Sequence, residues 1–356
     1  MKKIIQRPFR IDVHHHIIPD LYLKALRSIG IKDSGGKSFP DWSPEIGIQT
    51  LDRQGIQTAI SSISCPGVFF GDKDKAAKLA RDCNEYSANL AAKYPGRFGF
   101  FAILPMPITD LAIKECLYSL DTLKADGVVI LASSHGKFLG EPEFDDLMLE
   151  LNKKKAKVLI HPTIHPTSDS LGLQIPGYII EFVFDTTRAA TNLIYKGVME
   201  RFPDIKFILS HAGGTIPYLA YRLSILNTDP EFLKRSPNGV NHYLKKFYYD
   251  TALSPSPMTM ASMLELVDPS HILFGSDFPF VPEMMVAREI DDFNGLKMLN
   301  EDMRYNIQRA NALELFPKYR IKEDDDVAKK ICKFEDKKLP FKFRFGVKFL
   351  KQLMKY

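Results

Sequence analysis

The chain of 356 residues lacks several features that mark common protein classes. It has four widely separated cysteines, and no two of them form the CxxC pair of metal or redox motifs. No apolar run approaches the roughly 20 residues that span a bilayer, and residues 1–8 are basic without an apolar segment of signal-peptide length. We therefore expect a cytoplasmic protein with free thiols. The cysteines are Cys65, Cys83, Cys116 and Cys332.

The net positive charge of the chain lies in its C-terminal tail. Residues 319–356 contain 12 Lys and Arg against 6 Asp and Glu, so the net charge of +5 belongs to this segment and the remainder is close to neutral. The body of the protein gives no electrostatic reason to expect nucleic acid binding. Aromatic and basic residues alternate over 340–351, which suits either a membrane surface or a terminal element packed on the rest of the protein. We favour packing, which makes membrane association of the tail the less favoured alternative.

Eight short apolar segments, each followed by a helical pattern, organise the chain. Most are apolar almost throughout, as expected for parallel strands that are covered on both faces. Eight such units predict an α/β fold of the (β/α)8, or TIM barrel, type rather than an open sheet. We expect the barrel over residues 1–318 and a basic C-terminal extension over 319–356. The predicted strands are 9–13, 58–63, 98–104, 127–131, 157–160, 206–209, 247–249 and 271–274.

Reactive side chains follow four of the predicted strands. Alternation along the first strand places His14 and His16 on one face and His15 on the other. His161, His211 and Asp277 follow the fifth, sixth and eighth strands, and the active site of a (β/α)8 barrel lies at these strand ends. Each residue alone has a plainer interpretation as a turn or a strand end. Together they predict a site for a divalent ion such as zinc.

The motifs that carry these residues resemble a known family. They are His-x-His after the first strand, Ile-His-Pro after the fifth, Ser-His-Ala-Gly-Gly after the sixth and Gly-Ser-Asp-Phe-Pro after the eighth. Over residues 10–318 they resemble the amidohydrolase-related family, and within it the branch of aminocarboxymuconate-semialdehyde and γ-resorcylate decarboxylases. Residues 40–45 and 180–188 look most similar to enzymes described as 6-methylsalicylate decarboxylases.

The resemblance implies a metal cofactor, usually zinc with manganese as the alternative, and a catalytic role for His211. Members with two metals use a bridging lysine carbamate or carboxylate after the fourth strand, whereas residues 129–134 here contain neither. We therefore expect one ion per subunit. Its ligands would be His14, His16, His161 and Asp277.

The resemblance also bears on the substrate and on assembly. Arg222, eleven residues after His211, matches an arginine that holds the substrate carboxylate, often in the site of the neighbouring subunit, which implies a homodimer. The semialdehyde decarboxylase carries a second substrate-binding arginine, but residues 34–44 contain Lys37 and no arginine. A small aromatic monocarboxylate therefore fits better. Candidate pocket walls, each with core or loop packing as its alternative role, are Trp42 and Phe182, followed by Phe69, Phe70 and Tyr178.

The favoured activity is nonoxidative decarboxylation of a small aromatic or unsaturated carboxylic acid, such as a salicylate-type acid. His211 and Asp277 would move the protons. Either the ring carbon is protonated first or an activated water adds first, and the sequence is compatible with both. Two alternatives stay open: a metal-dependent hydrolase or lactonase that uses the same site, and a metal-binding protein without catalysis.

Overall fold

The structure is a computed structural model that describes residues 9–321 and 340–354. Eight parallel strands pair in chain order within one sheet. The first and last strands meet where Val13 N donates to Phe274 O (3.0 Å) and His16 N donates to Phe278 O (2.7 Å). These contacts close the barrel and confirm the predicted (β/α)8 fold. The strands are β1 Arg10–His16, β2 Ile56–Ser62, β3 Phe98–Ile103, β4 Gly127–Leu131, β5 Lys157–His161, β6 Lys206–Leu209, β7 Tyr248–Asp250 and β8 Ile272–Leu273.

Helices follow the strands and cover the outside of the barrel. Several begin where the sequence offers a cap: Ser43 accepts from Ile46 N ahead of one helix, and Asp72 accepts from Asp74 N and Lys75 N ahead of the next. The helices are α1 Asp20–Ser28, α2 Pro44–Arg53, α3 Lys73–Lys93, α4 Thr109–Asp121, α5 Asp145–Lys153, α6 Gly177–Tyr195, α7 Val198–Arg201, α8 Ile216–Leu223, α9 Pro230–Arg235, α10 Val240–Leu244, α11 Pro257–Leu266, α12 Glu283–Asn294, α13 Glu301–Tyr305, α14 Asn311–Leu315 and α15 Phe341–Leu353.

The apolar strands form the core that positions the site. Every residue of β1, β3 and β4 is buried, since side chains point either into the barrel or against the covering helices. This double burial explains why the strands read as continuous apolar runs. It also means that a polar side chain in these strands needs a partner inside the protein.

One helix begins well before its predicted start. The pattern predicts a helix from Asp185, preceded by an insertion over 164–178, but α6 begins at Gly177. The first turns of α6 are rich in aromatic and β-branched residues, which have modest helix propensity. Packing compensates for this, because Phe182 and Ile164 close over Gly35 and Gly177.

The C-terminal extension is described only in part. Within residues 340–354, α15 lies against α12, whereas the acidic run at 323–326 and Cys332 lie outside the described residues. The division into a barrel and a separate extension stays a prediction. Cys65, Cys83 and Cys116 are free and buried. Within 9–321 and 340–354, no helix combines the length and apolarity needed to cross a membrane.

Candidate metal centre

Three imidazoles and one carboxylate converge at the C-terminal edge of the barrel. One donor atom from each of four residues lies within 4.8 Å of every other, and all four residues are buried: His14, His16, His161 and Asp277. His14 Nε2 is 3.1 Å from His16 Nε2, and His16 Nε2 is 3.0 Å from Asp277 Oδ1. Two nitrogens at 2.0–2.1 Å from one tetrahedral zinc would be roughly 3.3 Å apart. The spacing therefore suits four ligands of a single ion.

The tautomers of the imidazoles support this interpretation. His14 Nδ1 is 2.7 Å from the carboxylate of Asp250, and His161 Nδ1 is 2.8 Å from the carbonyl oxygen of Pro162. Both oxygens can only accept, so each Nδ1 carries the proton and each Nε2 keeps its lone pair. His16 Nδ1 is likewise engaged, 3.0 Å from Ser62 Oγ. The facing Nε2 atoms of His14 and His16 can share one proton, or both can give their lone pairs to a metal ion, and partners on the Nδ1 side are what metal-bound histidines usually have.

The charges of the site fit an ionised Asp277 beside neutral His16 and His161. Burial lowers the pKa of His16, and burial together with the neighbouring imidazoles lowers the pKa of His161 well below its usual range. Burial would raise the pKa of Asp277, but the hydrogen bond to His16, the approach of His211 at 3.5 Å and the charge of the nearby imidazoles bring that pKa well below its usual range. Burial also lowers the pKa of His14, yet attraction to Asp250 raises it more, to about 9. A proton on His14 would balance these carboxylates when no metal ion does.

His211 lies beside the four residues. Its Nε2 is 3.5 Å from Asp277 Oδ2, and its ring centroid is 5.0 Å from that of His14. Both ring nitrogens are buried and have no hydrogen-bond partner. Buried polar atoms are rarely left unpaired, so this imidazole is poised for a group that enters the site. Its catalytic role as an acid or base beside the candidate metal site stays a prediction.

The backbone at both reactive strand ends is left-handed. His211 has φ 54° and Asp277 has φ 53°, a conformation that few residues other than glycine adopt. The turn after His211 needs glycine: a Cβ at Gly214 would lie 2.1 Å from the carbonyl oxygen of Val183. The Gly-Gly of the sixth-strand motif therefore lets the chain turn sharply against α6 directly after His211.

The other predicted site residues lie in different surroundings. Phe182 is buried and meets the ring of His161 edge-to-face at 5.9 Å, so it borders the site. Arg222 is exposed near the end of α8, and no described contact joins it to the site of its own subunit. The described ring contact of Trp42 is with Tyr86 of α3, 6.5 Å between centroids. The roles of these three residues stay predictions.

A cavity of about 290 Å³ lies at the C-terminal ends of β2 to β5. Its walls include Phe69 and Phe70, two of the predicted pocket residues, together with Leu131, whose strand partner is His161. Thr163, two residues beyond His161, contributes a hydroxyl. The cavity is therefore apolar with a few polar groups, as binding pockets for small organic molecules usually are.

Sequence reasoning missed two contributors. Asp250, at the end of β7, bonds to His14 and also accepts from His211 N at 2.9 Å. Phe280 meets the ring of His16 at 5.6 Å. The signal for Asp250 was available, because a carboxylate that directly follows a barrel strand is the same signal that identified Asp277. Nothing in the local pattern distinguishes Phe280 from other aromatic residues.

A closed parallel barrel with three histidines and one aspartate at its C-terminal edge defines a class of metal-dependent enzymes. The chain belongs to the amidohydrolase family, whose model matches residues 11–318. This match confirms the resemblance that the strand-end motifs indicated.

Two proteins described as decarboxylases and one solved structure are similar to this chain. Decarboxylase yanB of Aspergillus niger is 37% identical over 335 residues, which cover 90% of each chain. The 6-methylsalicylic acid decarboxylase of Penicillium expansum is 36% identical over 318 residues, covering 87% of this chain and 97% of that protein. A crystal structure described as amidohydrolase II, Northeast Structural Genomics target LpR24, has a TM-score of 0.81 at 28% identity and covers 86% of this chain and 99% of its own.

Proposed function

We propose that the protein is a metal-dependent carboxy-lyase that removes carbon dioxide, without oxidation, from a small aromatic acid of the salicylate type. The observation that carries the proposal is the convergence of His14, His16, His161 and Asp277 beside the unpaired imidazole of His211. The choice of reaction is supported by relatives described as decarboxylases, and the description of one of them names 6-methylsalicylic acid as the substrate.

The same four residues would hold one divalent ion, zinc in the first instance and manganese as the alternative. When bound, the ion would supply positive charge that attracts the carboxylate and the ortho hydroxyl of the substrate. Phe182, which borders His161, would exclude water from the ring, and His211 would exchange a proton with the phenol or with the ring carbon. The overall change consumes one proton: the carbon–carboxylate bond breaks, its electron pair stays on the ring, and a C–H bond replaces it.

We further propose that Arg222 serves the site of a second copy. Around it α8 and the following turn expose Tyr218, Tyr221 and Ile225, with 86, 88 and 60% of their surfaces accessible. Exposed apolar groups that surround an arginine are typical of protein interfaces. In a homodimer this face would carry the guanidinium to the neighbouring carboxylate.

Sharing of residues between subunits can be tested by complementation. His211→Asn and Arg222→Ala variants should each be inactive, but a mixed dimer rebuilds one complete site from the wild-type residue of each chain. Activity recovered after co-expression supports the shared site. No recovery, with mixed dimers verified by two affinity tags, would contradict it.

The reaction is tested by incubating the purified, metal-loaded protein with 6-methylsalicylate in the absence of oxygen. Decarboxylation releases carbon dioxide and 3-methylphenol in equal amounts, and in deuterium oxide the product carries one deuterium at the carbon that held the carboxylate. Removal of metal by a chelator should abolish turnover, and zinc or manganese should restore it. Turnover of lactones or esters without release of carbon dioxide from any aromatic acid would instead establish the hydrolase.

We place this activity in the cytoplasm, as the composition of the chain suggests. Fractionation of cells that express the tagged protein tests that location. Activity in an organelle lumen or outside the cell would contradict it.

A further inference from the structure

Helix α15 uses only one of its apolar faces to pack on the barrel. Phe343 and Val347 are buried, and Gly346 lies so close to Met284 of α12 that an added Cβ would meet its sulphur at 2.2 Å. A second set of apolar side chains projects into solvent at intervals of four residues. These are Phe341, Phe345, Phe349 and Leu353, with 77, 66, 53 and 65% of their surfaces accessible.

The spacing makes these four residues one continuous surface, which we call the aromatic stripe. Residues four apart lie one above another on a helix, so the stripe runs along the length of α15. Isolated exposed apolar residues are ordinary, but a contiguous exposed patch marks a surface that meets something else.

The barrel fixes the direction in which the stripe points. Lys351 Nζ lies 2.5 Å from Asp291 Oδ2 and 3.1 Å from Asp292 Oδ1, both on α12. Together with the buried Phe343 and Val347, this ion pair sets the rotation of α15 about its axis. The stripe therefore faces away from the barrel.

Charge indicates what the stripe meets. Residues 340–354 contain no Asp or Glu. Arg344 and Lys348 are exposed, and each directly precedes a stripe residue, so two cations run parallel to the aromatic side chains on the same flank. Long basic side chains beside a row of Phe and Leu are the composition of helices that lie in the interface of an anionic bilayer.

We propose that α15 docks the protein on an anionic membrane surface, with the aromatic stripe among the headgroups and Arg344 and Lys348 on the lipid phosphates and carboxylates. A second copy of the chain fits less well, because pairing two stripes would bring their rows of cations together. The sequence favoured packing of this segment on the barrel. The structure gives α15 that packing and also a second apolar face that the packing leaves uncovered.

The experiment is flotation of the full-length protein with vesicles of phosphatidylcholine, with and without phosphatidylserine. The wild-type protein should float with the anionic vesicles only, and added salt should weaken the binding. Arg344→Gln with Lys348→Gln should weaken it roughly 25-fold, at about fivefold per cation. Phe345→Ser with Phe349→Ser should lower it by at least about tenfold, since two exposed rings lose their contact with lipid.

The matched control is Ile29→Ser with Leu149→Ser, which removes two exposed apolar side chains elsewhere on the barrel (50 and 43% accessible) and should leave flotation unchanged. All variants should keep the thermal unfolding midpoint of the wild type, because the altered side chains are in solvent. Failure of the wild-type protein to float with anionic vesicles would overturn the proposal. So would wild-type flotation of the Phe345→Ser, Phe349→Ser variant, or a sedimentation shift showing that this variant has lost a dimer instead.

Discussion

Replacing Asp250 by asparagine should weaken metal binding while leaving every predicted ligand in place. The carboxylate is fully buried and receives three N–H groups. One oxygen accepts from His14 Nδ1 at 2.7 Å, and the other accepts from the backbone N–H of His211 at 2.9 Å and of Ala252 at 3.0 Å. Asp250 thus orients one ligand and the turn that carries the neighbouring imidazole.

Asparagine can satisfy only one side of this arrangement. If the NH2 group of asparagine faces the two backbone N–H groups, these buried donors have no acceptor, at a cost of about 1–3 kcal/mol. If the amide faces His14, that imidazole must move its proton to Nε2, where the lone pair toward the ion is lost. Loss of such an orienting partner typically weakens metal binding 10–100-fold, which corresponds to about 1.4–2.8 kcal/mol. We expect Asp250→Asn to fall in this range.

The assay is competition for zinc between the protein and a chromogenic chelator, with decarboxylation measured at both limiting and saturating zinc. Activity should be lost at limiting zinc and partly recovered at saturation. The control is Asp126→Asn, which alters a carboxylate that is 2% exposed but bonded to Lys318, Tyr319 and Phe100 N, away from the four ligands. It should lower the unfolding free energy without changing zinc affinity. Equal zinc affinity of Asp250→Asn and wild type would refute the reasoning.

Three further predictions follow from the same structure. His211→Asn should lower kcat at least about 100-fold with unchanged metal content, because His211 is proposed to move protons and is not one of the four proposed ligands. Kinetics and atomic absorption measure the two quantities, and a parallel loss of metal would contradict the proposed role. Gly214→Ala should lower the free energy of unfolding by at least about 3 kcal/mol in denaturant titration. Gly214 has φ 65°, and the added Cβ would lie 2.1 Å from the carbonyl oxygen of Val183. A smaller effect would mean that α6 can shift. Asp185→Asn should stabilise the protein by up to about 3 kcal/mol at alkaline pH and not at acid pH. Burial raises the pKa of Asp185 to about 6, against about 3.9 in the unfolded chain, so the ionised carboxylate lowers the stability of the wild type as pH rises through this range. Asparagine carries no charge and can still accept the hydrogen bond from Thr163 N. Equal stabilisation at both pH values in urea unfolding would contradict this reasoning.

The fold was readable from the sequence because each strand is buried on both faces. Segments such as 127–131 and 206–209 are short apolar runs bounded by polar residues, and the structure has β4 and β6 at the same bounds. The start of α6 was not readable, because its first turns combine glycine, aromatic and β-branched residues. Contacts with Gly35 and Ile164, distant in sequence, make that segment helical.

The candidate site likewise contains residues that the sequence identifies and residues that it does not. Strand ends are local features, so His14, His16, His161, His211 and Asp277 could be selected from the sequence and the barrel then brought them together. Hydrogen-bond partners that depend on the rotamer of a side chain, such as Ser62 for His16, are not visible in any local sequence pattern. Arg222 was selected through the resemblance, and its role in a neighbouring site stays a prediction.

Left-handed backbone at His211 and Asp277 links the fold to the chemistry. In a strand that continued without a turn, side chains would alternate between the inside and the outside of the barrel. The last inward side chain would then contact only residues of the adjacent strands. Positive φ at these two positions turns the chain at the strand end and brings an imidazole within 3.5 Å of a carboxylate from a strand two places away in the sheet. Asp12 supports this turn from β1, accepting from Ser276 N at 3.1 Å and from its hydroxyl at 2.5 Å. Buried bonds of this kind offset a backbone conformation that costs about 1–3 kcal/mol, and strain of that kind is kept where a reactive group must be aimed.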